Sequence, residues 1–542
     1  MKNEETTKKL SYRKKTSPIL LIIGFIVSFA LGFAVPRFAF SERALSGTAP
    51  EPSDTETGVS ETTRSEQDRS LTEMTVGLEF ELQTDSTYGV TGYHGIEKNV
   101  IVPAVYDGIV VQHLMLESAD IVSITIPDIV QTIDLRNMFF LEELIVPDQT
   151  RDIIIRNMES LRKIDIGQSA VSVIAEGCNL LEELSLPDSA EQLQLRNCEK
   201  LTRLHLSDSL IKETIANCPA LKSADIAPNA EEVFFENFPL VTSLTIPDSV
   251  TNLGLSSFPR LESLSIPQSV THLSISNSPI EKVEFPKNLK KLYFGSMDIQ
   301  ELFLPAWIEE IDLWYIESLK TLSVPEGVIR VSISNIDSLQ ELHCSESVKT
   351  LSLSNLKNLS GLTFHDGVEE FRFSGAENNK FLNYTVIDGV KYLGTDTNPI
   401  FALVDGQSAV GDIVVPDGVH LIGGDAFMNS EISSVKLPDS ITGIGNDAFR
   451  GCNQLTEFVF PKNMKSIDCS VFHGCESLRK VILPGGSSEI HFYGFGCPNL
   501  EEIVFDGEHD IYYSEGQYLY HKDPVYNSRY NVKTDSWESF KD

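Results

Sequence analysis

Apolar and polar positions along this chain follow one pattern that returns about every 20 residues. In residues 261–277, apolar side chains occupy the first, fourth and sixth positions, a proline follows, and three more apolar positions come after it. Such a fixed period predicts a solenoid, in which each coil packs against its two neighbours. The steps between proline positions are 20 residues, except for two of 19 that end at Pro286 and Pro305. The proline column reads Pro127, Pro147, Gly167, Pro187, Ser207, Ala227, Pro247, Pro267, Pro286, Pro305, Pro325, Ser345 and His365.

Each unit contains two short apolar alternations with a turn between them. The first reads L-x-x-L-x-I, as in residues 181–186, and the second reads V-x-x-L-x-L, as in residues 250–255. Alternation with a period of two predicts strands whose alternate side chains point inward. The P-D-S sequence at 187–189 is typical of a turn, because proline fixes φ and the Asp and Ser side chains bond nearby amides. We therefore expect a mostly β solenoid with parallel sheets and two strands per coil.

Two further columns follow the second strand of each unit. The first is rich in asparagine, and we expect these side chains to be buried at a bend, where they satisfy backbone groups. The next column is apolar and is expected to lie in the core. The asparagine column holds Asn137, Asn157, Asn197, Asn217, Asn237, Asn277, Asn335 and Asn355, and the apolar column includes Met138, Met158, Cys178, Cys198, Cys218, Phe238 and Phe258.

The N-terminal region differs from the repeats in composition. Residues 1–16 are basic, 17–35 are uncharged and strongly apolar, and 36–75 are rich in Ser, Thr and acidic residues. An apolar run of this length matches the thickness of a bilayer, and the preceding basic residues place the N-terminus in the cytoplasm. These segments predict a cytoplasmic tail, one transmembrane helix acting as a signal anchor, and a disordered stalk. The alternative is a cleaved signal peptide, which would make the protein secreted.

Two stretches outside the 20-residue pattern resemble a known family. Residues 88–111 read Y-G-V-T-G-Y-H-G-I-E-K-N-V-I-V-P-A-V-Y-D-G-I-V-V, and 416–438 contain P-D-G-V-H-L-I-G-G-D-A-F. Together with the prolines at 416, 438, 461 and 484, which are 22 to 23 residues apart, they are similar to the BspA-like leucine-rich repeat surface proteins of bacteria. The resemblance implies a leucine-rich-repeat solenoid and a role in adhesion or binding, and it supplies no catalytic residues.

The same patterns divide the chain into domains. We expect an N-terminal β cap at 76–115, 20-residue repeats at 116–378, a hairpin insert at 379–409 and BspA-like repeats at 410–507. Residues 508–542 are expected to cap the other end, because a solenoid must cover its open strand edges.

Composition narrows the classes of partner. The net charge of −35 argues against nucleic acid, which requires a basic patch. We find no nucleophile, acid–base or phosphate-binding motif, and therefore expect no enzyme activity, small-molecule substrate, metal or cofactor. The turn aspartates are better explained by capping than by calcium binding. Cysteines follow the core columns, and we expect free thiols, although neighbouring coils lie close enough for disulfides.

Aromatic residues cluster around the two 19-residue units. Tyr293 and Phe303 take outward strand positions, Trp307 takes a turn position, and Trp314 and Tyr315 replace the usual Ser and Asn. Aromatic side chains with polar tips are favoured contact residues, so these five are a candidate partner-binding patch. The alternative is that shortened coils need bulky side chains to fill a bend.

These features together predict a membrane-anchored, extracytoplasmic binding scaffold or adhesin that recognises a protein or cell-surface glycan without covalent chemistry. The alternative is a structural or assembly protein of the cell envelope that has no dedicated ligand.

Overall fold

The computed structural model describes residues 74–539, except for 119, 281, 376–378, 465, 484–488, 493–495, 516–517 and 532–535. Side chains are described up to residue 505, apart from 465–469 and 484–495. The predicted tail, transmembrane segment and stalk, residues 1–73, lie outside this part. Among the described residues, no helix has both the length and the apolar character needed to cross a bilayer.

The N-terminal segment forms an antiparallel pair that joins the first repeat. Strand β1 pairs antiparallel with β2, and β2 runs parallel to β5, whose far side receives the first coil of the repeats. The edge of the sheet is thereby covered by a two-stranded ribbon. The strands are β1 (Leu78–Leu82), β2 (Tyr88–Tyr93), β3 (Asn99–Ile101), β4 (Val105–Tyr106) and β5 (Ile109–Glu117).

The 20-residue repeats form a parallel β solenoid, which confirms the predicted fold. The strands of this block are β6 (Ser123–Thr125), β7 (Thr132–Arg136), β8 (Glu143–Ile145), β9 (Asp152–Arg156), β10 (Lys163–Asp165), β11 (Ser172–Glu176), β12 (Glu183–Ser185), β13 (Gln192–Arg196), β14 (Arg203–His205), β15 (Lys212–Ala216), β16 (Glu232–Glu236), β17 (Asn252–Ser256), β18 (His272–Ser276), β19 (Lys291–Gly295), β20 (Glu310–Trp314), β21 (Thr321–Val324), β22 (Arg330–Ser334), β23 (Glu341–Cys344), β24 (Thr350–Ser354), β25 (Gly361–Thr363) and β26 (Glu370–Ser374).

The second strand of every coil joins one continuous sheet, here called the long sheet. It comprises β5, β7, β9, β11, β13, β15–β20, β22, β24 and β26, and with the N-terminal strands β1, β2 and β4 it has 17 strands. Neighbouring strands pair residue for residue, so that Leu253 lies opposite Leu273 and Leu255 opposite Ile275. In each five-residue strand the second and fourth side chains are buried, while the first, third and fifth face outward. Each buried leucine or isoleucine contributes roughly 1.5–3 kcal/mol.

The first strand of each coil lies across the core from the long sheet and is less regular. It forms short sheets in β3–β6, β8–β10, β12–β14 and β21–β23–β25. In five successive coils, within 222–304, the described residues of this side form no strand, and no backbone hydrogen bonds link neighbouring coils there. The expectation of two strands per coil is therefore wrong for these coils. We call this surface the short-strand side.

The asparagine column does not lie in the core. Its members have φ values of +50° to +62°, the left-handed conformation that Asn tolerates better than most residues. Their side chains are exposed or half-buried and bond to one another along the solenoid, with Asn157 Nδ2 donating to Asn137 Oδ1 at 2.8 Å and Asn355 Nδ2 to Asn335 Oδ1 at 3.0 Å. The predicted burial of these side chains was wrong. Asparagine recurs here because the bend requires a left-handed backbone, which does not require the side chain to be buried.

The C-terminal half continues the stack with a different coil. A hairpin, β27 and β28, pairs antiparallel with β29, which leads parallel into β31. The core divides accordingly into two clusters, one that begins at Val90 and one that reaches Phe505. The elements are β27 (Thr385–Ile387), β28 (Val390–Leu393), β29 (Ala402–Asp405), β30 (Val410–Val414), β31 (Leu421–Ile422), β32 (Glu431–Lys436), β33 (Gly443–Ile444), β34 (Glu457–Val459), β35 (Ser466–Asp468), a 3₁₀ helix (Cys469–Phe472), β36 (Lys480–Leu483), β37 (Glu489–Phe492), β38 (Glu502–Glu515), β39 (Tyr518–Asn531) and β40 (Ser536–Ser539).

One core position breaks the apolar pattern. Glu213 lies on β15 between Leu193 of β13 and Val233 of β16, and it is 1% exposed. Its Oε1 accepts a hydrogen bond from the backbone N–H of Ala227 at 2.7 Å, whereas Oε2 has no partner among the described residues. Burial raises the pKa of this carboxyl to about 7, although the Ala227 N–H opposes the shift.

Candidate binding face

The five predicted aromatic residues do not form a single patch. Tyr293 on β19 and Trp314 on β20 point outward from the long sheet, and Tyr315 follows at its edge, 54% exposed. Phe303 is 80% exposed and, by the alternation along its segment, lies on the short-strand side. Trp307 lies in the turn between the two sides, where its Nε1 donates to the Pro286 carbonyl at 3.0 Å. Tyr293, Trp314 and Tyr315 therefore share one surface, which Phe303 and Trp307 do not join.

The indole of Trp314 rests directly on the neighbouring strand. Its register partner on β19 is Gly295, and a Cβ placed on that glycine would lie 2.0 Å from the indole Cε2. No larger residue fits at this position without moving the ring. The same arrangement recurs on the long sheet where Phe234 of β16 covers Gly254 of β17, with a ring carbon 2.4 Å from the site of the missing Cβ. Sequence reasoning missed Phe234, although a glycine one period later was a signal for it.

The phenol hydroxyl of Tyr293 is fixed by a hydrogen bond. It donates to Glu310 Oε1 on the adjacent strand at 3.0 Å. Burial, followed by the charge of Glu310, raises the pKa of this phenol well above its usual value. The phenol is therefore neutral at physiological pH. Tyr293 and Trp314 are diagonal neighbours on one face, since they lie on adjacent parallel strands two positions apart in register.

Tyr315 occupies a position that is asparagine in most coils. Its φ of +51° is uncommon for a bulky side chain and stores backbone strain. The residue interrupts the asparagine column and places an exposed aromatic ring beside Trp314. A strained residue with an exposed ring favours an interaction role over a packing role at this point.

Charge is distributed unevenly over the long sheet. In the N-terminal part, outward positions form ion pairs, such as Arg136 with Asp134 at 2.6 Å and Lys212 with Glu232 at 3.1 Å. From β17 to β24, the third and fifth strand positions and the following left-handed position are almost free of charge. We call these residues the neutral face: Gly254, Ser256, Ser257, Ser274, Ser276, Asn277, Tyr293, Gly295, Ser296, Asp312, Trp314, Tyr315, Ser332, Ser334, Asn335, Ser352, Ser354 and Asn355.

Asp312 is the one charged residue of the neutral face. Burial raises the pKa of its carboxyl, and a hydrogen bond from Ser332 partly opposes that shift. The rest of the face presents hydroxyl, amide and aromatic groups. In a chain with a net charge of −35, this composition sets the surface apart from its surroundings.

A shallow cavity of about 770 Å³ lies elsewhere, on the short-strand side. It is lined by charged side chains, among them Arg162, Glu182 and the Arg203–Glu183 ion pair. It does not include any residue of the neutral face. Its lining is open and shows no paired nucleophile and base.

The cysteines whose side chains the structure describes are free thiols. Six of these seven are buried, and Cys452 and Cys475 donate to the carbonyls of Phe427 and Phe449, each at 3.0 Å. Burial raises the pKa of the Cys344 thiol to about 12, so that it is protonated at neutral pH. Over the described residues, no three His, Cys, Asp or Glu side chains converge in a way that would hold a metal ion.

The register, the leucine columns and the left-handed asparagine positions define a leucine-rich-repeat solenoid. Its repeats match the BspA type leucine rich repeat region in six copies, over residues 156–264, 196–296 and 407–517. These repeats are therefore of the BspA type, as the resemblance to that family implied. The match is to a repeat scaffold, and no catalytic family is indicated.

Several solved structures share similarity with this chain. A leucine-rich repeat protein of Bacteroides ovatus is 15% identical, with 80% of this chain and 99% of that chain covered and a TM-score of 0.28. A leucine rich cell surface protein of Faecalibacterium prausnitzii is 15% identical, with 82% and 95% covered and a TM-score of 0.20. YopM from Yersinia enterocolitica is 14% identical, with 76% and 91% covered and a TM-score of 0.35. No curated protein matches the chain.

Proposed function

We propose that this protein is a membrane-anchored, extracytoplasmic leucine-rich-repeat scaffold that binds a protein or glycan partner through the neutral face of its long sheet. The observation that carries the proposal is the group of Tyr293, Trp314 and Tyr315. Two of these rings replace the Ser and Asn of other coils, and one of them does so in a strained backbone conformation. Exposed aromatic residues supported by a rigid sheet are favoured contact residues at interfaces.

Anchoring is supported by the N-terminal sequence. The basic residues of 1–16 and the apolar run of 17–35 suit a signal anchor whose N-terminus stays in the cytoplasm, and 36–75 would hold the repeats away from the bilayer. Protease treatment of intact cells is expected to digest the repeat body while leaving residues 1–16 protected. Recovery of a shorter chain in the culture medium would instead indicate a cleaved signal peptide.

Partner binding is tested with the full-length chain against matrix proteins and cell-surface glycans. Trp314→Ala is expected to weaken binding roughly tenfold or more, because it removes the central ring of the group. Phe303→Ala is the matched control, since it removes an exposed aromatic ring from the opposite side of the solenoid. Equal losses in both variants would contradict the assignment of the face. Absence of any binding would favour a structural role in the envelope.

A further inference from the structure

The neutral face restricts the chemistry of its partner. Outside it, the long sheet carries ion pairs, and the chain as a whole is strongly acidic. Apart from Asp312, this face offers no counter-charge, so a partner that brought lysine, arginine, carboxylate or phosphate groups onto it would bury most of them unpaired, which is costly. An uncharged partner avoids that cost. Nucleic acid and anionic lipid are therefore poor fits.

The polar groups of the face favour a partner rich in hydroxyls. Serine hydroxyls recur along two columns, on strands about 4.8 Å apart. Each hydroxyl can both donate and accept, and an asparagine such as Asn355, which donates one N–H to Asn335, keeps its second N–H and its oxygen for a ligand. Within the described part of the chain, the hydroxyls of Ser334, Ser352 and Ser354 make no hydrogen bond, so they are free to bind a ligand.

The aromatic groups add apolar surfaces of defined orientation. Trp314 lies over the backbone of Gly295, which fixes the ring against the sheet, and Tyr293 is tied to Glu310. Tyr315 stands exposed beside them. A pyranose ring carries hydroxyls around its edge and C–H groups on its faces. It therefore matches a surface on which fixed aromatic rings are flanked by hydroxyls and amides.

We propose that the neutral face binds an uncharged polysaccharide, with a sugar ring stacked on Trp314 and neighbouring sugars bonded by the serine and asparagine columns. This assignment rests on the proposed function and names its partner class. The charged first positions of the strands, including Lys291, Glu310 and Arg330, border the polymer on one side of the face. The repeated spacing of the serines suits a polymer better than a single sugar.

The test is affinity electrophoresis of the full-length chain in a detergent without a sugar headgroup. The probes are dextran, laminarin, mannan and galactomannan, with carboxymethyl dextran as the charged counterpart of dextran. At least one neutral polysaccharide is expected to retard the chain. Trp314→Ala and Ser334→Asp are each expected to weaken that binding roughly tenfold, the second by adding a charge whose register partners, Trp314 and Ser354, carry none. Phe303→Ala should leave it unchanged.

Each result decides a separate claim. No retardation by any neutral polysaccharide, stronger binding to carboxymethyl dextran than to dextran, or an equal loss in Phe303→Ala would overturn the polysaccharide assignment. If a matrix protein binds instead and Trp314→Ala weakens that binding, the proposed scaffold function stands while the polysaccharide assignment fails. Circular dichroism of Ser334→Asp and Trp314→Ala separates lost binding from lost folding.

Discussion

The buried carboxyl of Glu213 makes local stability depend on pH in a direction that the structure fixes. Its pKa is raised by burial from 4.5 to about 7. Below the lower value the group is neutral whether the coil is folded or open, and the coil has its full stability. Between the two values the open coil loses its proton while the folded coil keeps it, so stability falls as pH rises. Above about 7 the full penalty applies.

The magnitude follows from the size of the shift. A pKa change of this size corresponds to about 3 kcal/mol of stability lost between pH 4.5 and pH 8. Glu213→Gln removes the ionisation but keeps the acceptor for the Ala227 N–H. The stability of this variant relative to the native chain should therefore rise by about 3 kcal/mol over the same range. The test is the pH dependence of stability and not the stability at low pH, because the buried amide of the Glu213→Gln variant adds N–H donors whose burial changes stability at every pH.

Local measurement is required, because coils of a solenoid need not unfold together. Amide hydrogen exchange of peptides covering 207–236 reports the opening of these coils, once intrinsic exchange has been corrected for pH. Glu232→Gln is the matched control, since it removes an exposed carboxylate that pairs with Lys212 one coil away. If Glu213→Gln keeps the same pH dependence of opening as the native chain, the carboxyl is not responsible and the reasoning fails.

Three further outcomes are expected. Asn157→Ala should destabilise its coil by about 1–2 kcal/mol in chemical denaturation, because alanine resists the left-handed conformation and the hydrogen bond to Asn137 is lost. Asn157→Gly should recover most of this lost stability, because glycine adopts that conformation readily. Tyr315→Asn should raise the melting temperature by relieving strain while weakening partner binding, and unchanged binding would remove Tyr315 from the site. Cys344, whose burial raises its pKa to about 12, should resist alkylation at pH 8 until the chain is denatured.

The repeat period was sufficient to predict the solenoid, because every inward column is set by residues 19 or 20 positions apart. Leu253, Leu273 and Leu292 align in the structure as they do in the sequence. The separation of Phe303 from Tyr293 also follows from the repeat, since Tyr293 falls in the segment that forms the long sheet and Phe303 falls in the segment on the short-strand side. The neutral face becomes visible only when successive strands are placed side by side in register.

The loss of strands on the short-strand side could not be predicted in the same way. Residues 242–246 and 262–266 keep the apolar alternation of neighbouring coils, yet form no ladder there. Whether such segments form backbone hydrogen bonds with the neighbouring coil depends on the spacing between coils on that side of the core. That spacing is set by the packing of all the side chains between the two sides.

Departures from the repeat occur in compensating sets, because a residue's main contacts lie one coil away. Phe234 is accommodated by Gly254 and Trp314 by Gly295, each pair joined by register. Glu213 is matched by Ala227, which replaces the proline of other coils and so provides an N–H that proline lacks. That compensation is incomplete, since Oε2 remains without a partner among the described residues. Unlike the two aromatic residues, Glu213 is therefore only partly accommodated by the neighbouring coil, and ionisation of its carboxyl is expected to destabilise the fold at this position.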